Sequence, residues 1–280
     1  MDSRRLNYLR ALDIDVWERR DLAVTQAASE PVRASVAAVA PPAVAVHQVA
    51  PAAVSRVVAP PVAAPKVSAL RTESKPSTRV PPRDDAVAAM GWDQLVDAVR
   101  TCTKCPLHAT RTQGVFGVGD RKARWMIIGE APGADEDSQG EPFVGRAGQL
   151  LNSMLRAMGL AREQVFIANV LKSRPPGNRD PRVDETSACL PYLFRQIELV
   201  NPTLLLCVGR IAAQTLLETD MPIGKLRGKL HTLPSGRPMI VTYHPAYLLR
   251  SPVEKRKSWA DLVLALQTFE RLSNEARQAT

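Results

Sequence analysis

The sequence predicts an α/β fold: a three-layer α/β/α domain over residues 89–273, with a central, mostly parallel sheet of four strands. Two observations predict it. From Trp92 onward, short apolar runs of strand length alternate with longer stretches of helical periodicity. All 15 glycines and all 4 cysteines also lie beyond residue 90, so the chain changes texture there from monotonous to packed. Alternation of this kind places helices on both faces of a parallel sheet and gathers functional residues at the carboxyl ends of its strands.

In order, WDQLVDAVR (92–100) reads as a helix, and RWMIIGE (124–130) as a buried strand running into a glycine-containing loop. AGQLLNSMLRAMGL (147–160) has helical periodicity that stops at Gly159, and VFIANVL (165–171) is the second strand. VDETSACLPYLFRQIELV (183–200) is helical, TLLLCVG (203–209) is the third strand, and RIAAQTLLE (210–218) is its following helix. PMIVTYH (238–244) supplies the fourth strand, and EKRKSWADLVLALQTFERL (254–272) a closing helix before a tail at 274–280.

The N-terminal third differs. Between Trp17 and Trp92 there is no aromatic residue, and ten of the 23 prolines fall within 21–88, amid alanine and valine. Repeated proline removes backbone donors and disfavours helix at the preceding residue. Without aromatic area to bury, the stretch cannot offset its ordering entropy. Residues 21–88 therefore read as a semi-extended linker. Residues 1–20 carry Leu6, Leu9, Leu12 and Trp17 at roughly helical spacing. They predict a short amphipathic helix, either docked on a protein partner or standing alone.

The formal charge is +9, from 37 Lys and Arg against 28 Asp and Glu, which suits a polyanion, since each phosphate neutralised releases counterions. Four scattered cysteines do not make a disulfide scaffold. The N-terminus has no secretory h-region, and no apolar stretch is long enough to span a bilayer. The expectation is a cytoplasmic, monomeric protein without membrane contact.

Three segments follow strand ends: GEAPGADEDSQGEPFVGRAG, NVLKSRPPGNRDP and HPAYLLR. On a parallel sheet these ends converge, so Glu130, Phe143, Asn169 and His244 are expected to share one cleft. No GK[ST], GxSxG or HExxH element is present. An aromatic plate, a carboxamide and an imidazole are parts that hold a planar heterocycle by stacking and edge hydrogen bonds.

These three motifs, in this order, resemble the family 4 uracil-DNA glycosylases, the iron-sulfur branch of that superfamily, from about Trp92 to Phe269. The resemblance implies excision of uracil from DNA by hydrolysis of its N-glycosidic bond. It gives Phe143 the role of stacking on a flipped uracil, and Asn169 that of reading the uracil edge. His244 would donate to O2, with backbone amides around Gly129, Glu130 and Ala131 helping to hold the leaving anion. Better-known uracil glycosylases carry an aspartate where Ala131 stands, so water orientation falls to Glu130 or Glu136; Glu136 would also wall off thymine's methyl. Tyr247, Leu248 and Leu249 would fill the vacated stack. Arg250, Lys172, Arg174 and Arg179 would grip phosphates.

The same resemblance implies a structural [4Fe-4S] cluster held at Cys102, Cys105, position 173 and Cys189, but position 173 is serine. Two readings stand beside each other: three thiolates with Ser173 as a weak oxygen ligand or an open site, or no cluster. Zinc also suits a CxxC pair. Counting Cys207 as a fourth ligand is disfavoured, because it sits within the apolar run LLLCVG. Three rival functions differ in kind: a uracil-DNA cross-linking protein without turnover, a non-catalytic interaction module, and a nucleotide-binding redox protein. The first would use a histidine that VLKSRPPGNRDPRVDET lacks, and the last a GxGxxG fingerprint that is absent.

Overall fold

A computed structural model of the chain describes residues 84–278. The expected N-terminal helix (1–20) and nearly all of the expected linker lie outside the described residues. The packed region begins earlier than the sequence suggested. Helix α1 (Asp85–Ala88) falls inside the stretch assigned to the linker: Asp84 caps it by accepting from the Val87 N–H at 3.3 Å, and Val87 is buried.

Helix α2 (Trp92–Arg100) leads to a two-residue strand β1 (Val118–Gly119) and then to β2 (Trp125–Gly129). The chain continues through α3 (Ala134–Gln139), α4 (Arg146–Ala157) and β3 (Phe166–Asn169). Next come α5 (Val183–Val200), β4 (Leu204–Val208), α6 (Arg210–Leu216), α7 (Ile223–Leu226) and β5 (Leu230–Thr232). The chain closes through β6 (Pro238–Thr242), α8 (Pro245–Arg250) and α9 (Lys255–Gln278). Helix α9 thus takes up residues 274–278, which the sequence assigned to a tail.

The sheet has six strands in the order β1-β3-β2-β4-β6-β5, correcting the expected four. The four expected strands form the parallel centre, and β1 and β5 add antiparallel edges to β3 and β6. Residue alternation divides the core into two layers. Met126, Ile128, Leu205, Cys207, Met239 and Val241 face one cluster, packed against α2, α5 and α6. Ile127, Leu204, Leu206 and Ile240 face the other, packed against α4, α8 and α9. Period-two alternation on strands covered on both sides is what makes them read as continuous apolar runs.

Register decides where the site falls. Gly129 pairs with Asn169, and Val208 with Thr242, so β2, β3, β4 and β6 end at one level. The chain runs from β2 outward to β3, then crosses back over β2 to β4. The strand order reverses between β2 and β4, and a parallel sheet opens a crevice beyond such a point.

Candidate active site

A cavity of about 740 Å3 lies beyond those carboxyl ends, lined by residues that follow each of the four parallel strands. Glu130 and Ala131 follow β2, Asn169 ends β3, Gly209 and Arg210 follow β4, and His244 follows β6. The expected meeting of Phe143, Asn169 and His244 is realised here.

Gly129 explains how closely they approach. A Cβ on it would lie 2.4 Å from Asn169 Oδ1 and 2.7 Å from Phe143 Cε2, so only a bare backbone lets ring and carboxamide share this corner. The Phe143 ring stacks on His244, with centroids 5.6 Å apart and planes 29° from parallel. Its backbone sits at φ 56°, a left-handed conformation that costs a bulky L-residue of order 1–3 kcal/mol and persists only where the surroundings impose it. Asn169 is 2 % exposed, and its Oδ1 has no hydrogen-bond partner. A buried acceptor left unpaired costs about 1–3 kcal/mol. An unmet acceptor of this kind on a cavity-lining side chain is suited to a ligand donor.

His244 caps α8: its Nδ1 accepts from the Ala246 N–H at 3.1 Å. In the neutral ring that bond assigns the proton to Nε2, leaving Nε2–H as a donor. Burial first, then the positive charge of Arg250, lowers its pKa to about 4, so the ring is neutral at neutral pH. Glu130 moves the other way: burial, reinforced by the negative charge of Asp180, raises its carboxyl to about 7 against the opposing effect of Arg210. Arg210 and Asp180 form an ion pair at 2.7 Å among the cavity-lining residues. The carboxylate of Glu136 accepts from the Gly133 N–H at 3.0 Å and the Gly145 N–H at 3.5 Å. It lines the cavity but is committed to tying two loops together.

The expected phosphate contacts are partly overturned. Lys172 is 1 % exposed; its ammonium donates to Asn169 O at 2.7 Å and to Gln196 Oε1 at 2.6 Å, so it faces inward. Leu248 also turns inward, onto the core beneath α8, leaving Tyr247 and Leu249 exposed on that helix. Arg179 lines the cavity but is bound through both terminal nitrogens to Glu185, and Arg174 donates to Asn178 Oδ1 at 2.9 Å. Arg250 is exposed at the cavity wall. Arg210 and Gly209 were missed, although the end of β4 carried the same signal as the other strand ends. A Cβ on Gly209, at φ 106°, would come within 3.2 Å of His244.

The cysteines do not complete the expected ligand set. Cys105 and Cys189 share one small buried cluster, and their mutual influence lowers the Cys105 thiol to about 6 and raises that of Cys189. Cys102 accepts from the Tyr192 hydroxyl at 3.3 Å, and Cys207 lies in the sheet core. Ser173 Oγ accepts from Arg111 Nη1 at 2.7 Å, and the same guanidinium donates to the carbonyls of Arg100 and Cys102. Among the described residues, no three His, Cys, Asp or Glu side chains are grouped to hold a metal ion. A [4Fe-4S] cluster takes four thiolates, and this arrangement does not fit that requirement.

The profile of the Uracil DNA glycosylase superfamily matches residues 116–265. The chain is 47 % identical over 167 residues to a type-4 uracil-DNA glycosylase of Archaeoglobus fulgidus, covering 57 % of this chain and 84 % of that one. It is 42 % identical over 185 residues to the type-4 enzyme of Pyrobaculum aerophilum, covering 62 % and 93 %. Against that of Saccharolobus solfataricus it is 48 % identical over 168 residues, covering 57 % and 78 %. With the cavity of Phe143, Asn169 and His244 at the strand ends, these matches place the chain in the uracil-DNA glycosylase superfamily, within its type-4 family.

Proposed function

We propose that this chain is a monofunctional uracil-DNA glycosylase, which hydrolyses the bond between uracil and deoxyribose and leaves an abasic site. The observation that carries the reading is the buried, unpartnered Oδ1 of Asn169 beside the Phe143 ring. Uracil offers an N3–H to that oxygen and an O4 to the amide's own N–H. Cytosine presents an amino group at C4, which leaves the amide mispaired at a cost of about 1–3 kcal/mol.

A base stacked in duplex DNA cannot reach the cavity, so the nucleotide must swing out. Tyr247 and Leu249, exposed on α8, fill the gap, and Arg250 meets a phosphate. Phe143 stacks on the base. As the C1′–N1 bond breaks, its electron pair passes to the uracil ring, and charge on O2 is met by the Nε2–H of neutral His244. Water adds its oxygen to C1′ and gives up a proton, for which ionised Glu130 is the acceptor within the cavity. No step passes through a metal or cluster. The substrate is uracil-containing DNA, with the enzyme acting as a monomer.

Incubation with a uracil-containing oligonucleotide, then alkali cleavage and base analysis, tests the reading. Free uracil and strand scission are expected from the native chain, and Asn169→Ala and His244→Ala should each slow release by roughly a hundredfold or more. Native-like release by both variants, or a stable protein–DNA adduct in place of free uracil, refutes it.

A further inference from the structure

Phe143 is a bulky residue held in a left-handed backbone conformation at the cavity, and something must hold it there. The neighbouring groups identify what does. Arg162, just before β3, reaches back 19 residues: Nη1 donates to Phe143 O at 3.3 Å and to Asn152 Oδ1 at 3.2 Å, and Nη2 donates to Pro142 O at 2.6 Å. The guanidinium therefore grips both carbonyls that flank the strained residue and ties them to α4 through Asn152. From α4, Gly148 meets the same loop so closely that a Cβ on it would lie 1.8 Å from Phe143 O. Among the described residues, the Arg162 side chain makes no ion pair, and its hydrogen bonds go to these three oxygens.

The geometry points to Arg162 as a positioning residue for the base-stacking ring, acting through the Pro142 and Phe143 carbonyls. Arg162 stands ahead of β3 and Asn169 at its end, so the plate and the edge reader are registered on one strand. Arginine suits the task because its planar fork presents donors to several oxygens at once, whereas an ammonium is a single compact donor centre. The inference rests on the reading of Phe143 as the plate on which uracil stacks.

Single-turnover uracil release from one oligonucleotide tests it with Arg162→Ala, Phe143→Ala and the double variant, alongside affinity for DNA carrying an abasic-site analogue. Arg162→Ala is expected to slow release by roughly tenfold to a hundredfold, as a misplaced contact does. Its affinity for the analogue, which has no base to stack, should stay within about twofold of the native value. On the Phe143→Ala background, Arg162→Ala should cost nothing further, because its effect runs through the ring. A residue that only supports the fold would lower both rates and weaken the analogue complex as well. Native release by Arg162→Ala with slow release by Phe143→Ala overturns the positioning role alone, as do losses that multiply in the double variant. Native release by Phe143→Ala removes the stacking reading itself. Should Arg162→Ala not fold, Arg162→Lys takes its place, with a smaller loss expected and the same cycle deciding.

Discussion

Two titrating groups at the cavity are displaced in opposite directions, and the displacement sets how the site should respond to pH. His244, with a folded pKa of about 4, stays neutral through the range where a free histidine titrates. Protonation of this ring should therefore contribute no limb to uracil release near pH 6.5, so none should remain there in Glu130→Gln. Glu130, at about 7, is half ionised near neutrality. If its carboxylate receives the water proton, the single-turnover rate rises with pH through about 7 to a plateau, and Glu130→Gln flattens that rise. A pH–rate profile of both proteins, with NMR titration of the His244 ring, checks the pair. The groups also bear on stability. The folded pKa of His244 is depressed, so its contribution is present above about 6.5 and lost as pH falls toward 4. That of Glu130 is raised, so its contribution is present below about 4.5 and lost as pH rises through 7. Gly129 matters by what it lacks. Gly129→Ala would drive a methyl into Asn169 Oδ1 and the Phe143 ring, and should abolish release while the protein still folds, read by activity beside circular dichroism.

Among the elements, the joint between β6 and α9 places His244. Asp261 on α9 is fully buried; it accepts two hydrogen bonds from Arg227, at 2.9 and 2.7 Å, and one from the Thr242 hydroxyl at 2.9 Å. Thr242 is the last residue of β6, two before His244. Removing one partner of a buried pair strands the other without compensation, a loss of about 3–5 kcal/mol when both are fully buried. Arg227 keeps 17 % of its side chain exposed, so Asp261→Ala should cost about 3 kcal/mol, near the lower end, in urea unfolding. Activity below the shifted transition should also fall, since the strand that leads to His244 loses its tether. Thr242→Val removes one hydroxyl, with its contacts to Asp261 and Ser258, and should cost about 1–3 kcal/mol.

The described residues 84–278 hold a six-stranded sheet, two core layers and the side chains placed above at the cavity. A chain beginning at residue 84 should therefore release uracil at close to the native rate under single-turnover conditions. A large loss would assign residues 1–83 a part in the reaction. Elsewhere in the fold, Arg111 joins Ser173 to the carbonyls of Arg100 and Cys102. That clasp links segments that a cluster would otherwise cross-link. The native protein should thus contain less than the about four irons per chain of a complete cluster, and Ser173→Cys should raise iron and sulfide content together. Colorimetric iron and acid-labile sulfide analysis decides it; a full complement in the native chain overturns the clasp as a substitute.

What could be read from the sequence follows from what periodicity encodes. The four parallel strands are buried on both faces, so each appears as an uninterrupted apolar run, and the helices between them carry their own period. The edge strands β1 and β5 are two and three residues long and largely outside the apolar layers, so they leave no such mark. Convergence of Phe143, Asn169 and His244 was legible because parallel strands deliver their carboxyl ends to one edge. The direction in which a side chain points from those ends was not. Lys172 looked like a surface cation beside a basic loop, yet its amine finds Gln196 Oε1, 24 residues away, and turns inward. Leu248 looked like part of a wedge, yet the phase of α8 turns it to the core and its two neighbours to solvent. By itself, then, the sequence determined the layers, the strand ends and the chemistry gathered there, because those depend on pattern within short windows. Only the tertiary structure decided which cations stand at the cavity wall and which turn inward, which carboxylate is free of the loops, and that Arg162 grips Phe143, because those contacts join residues that local pattern does not connect.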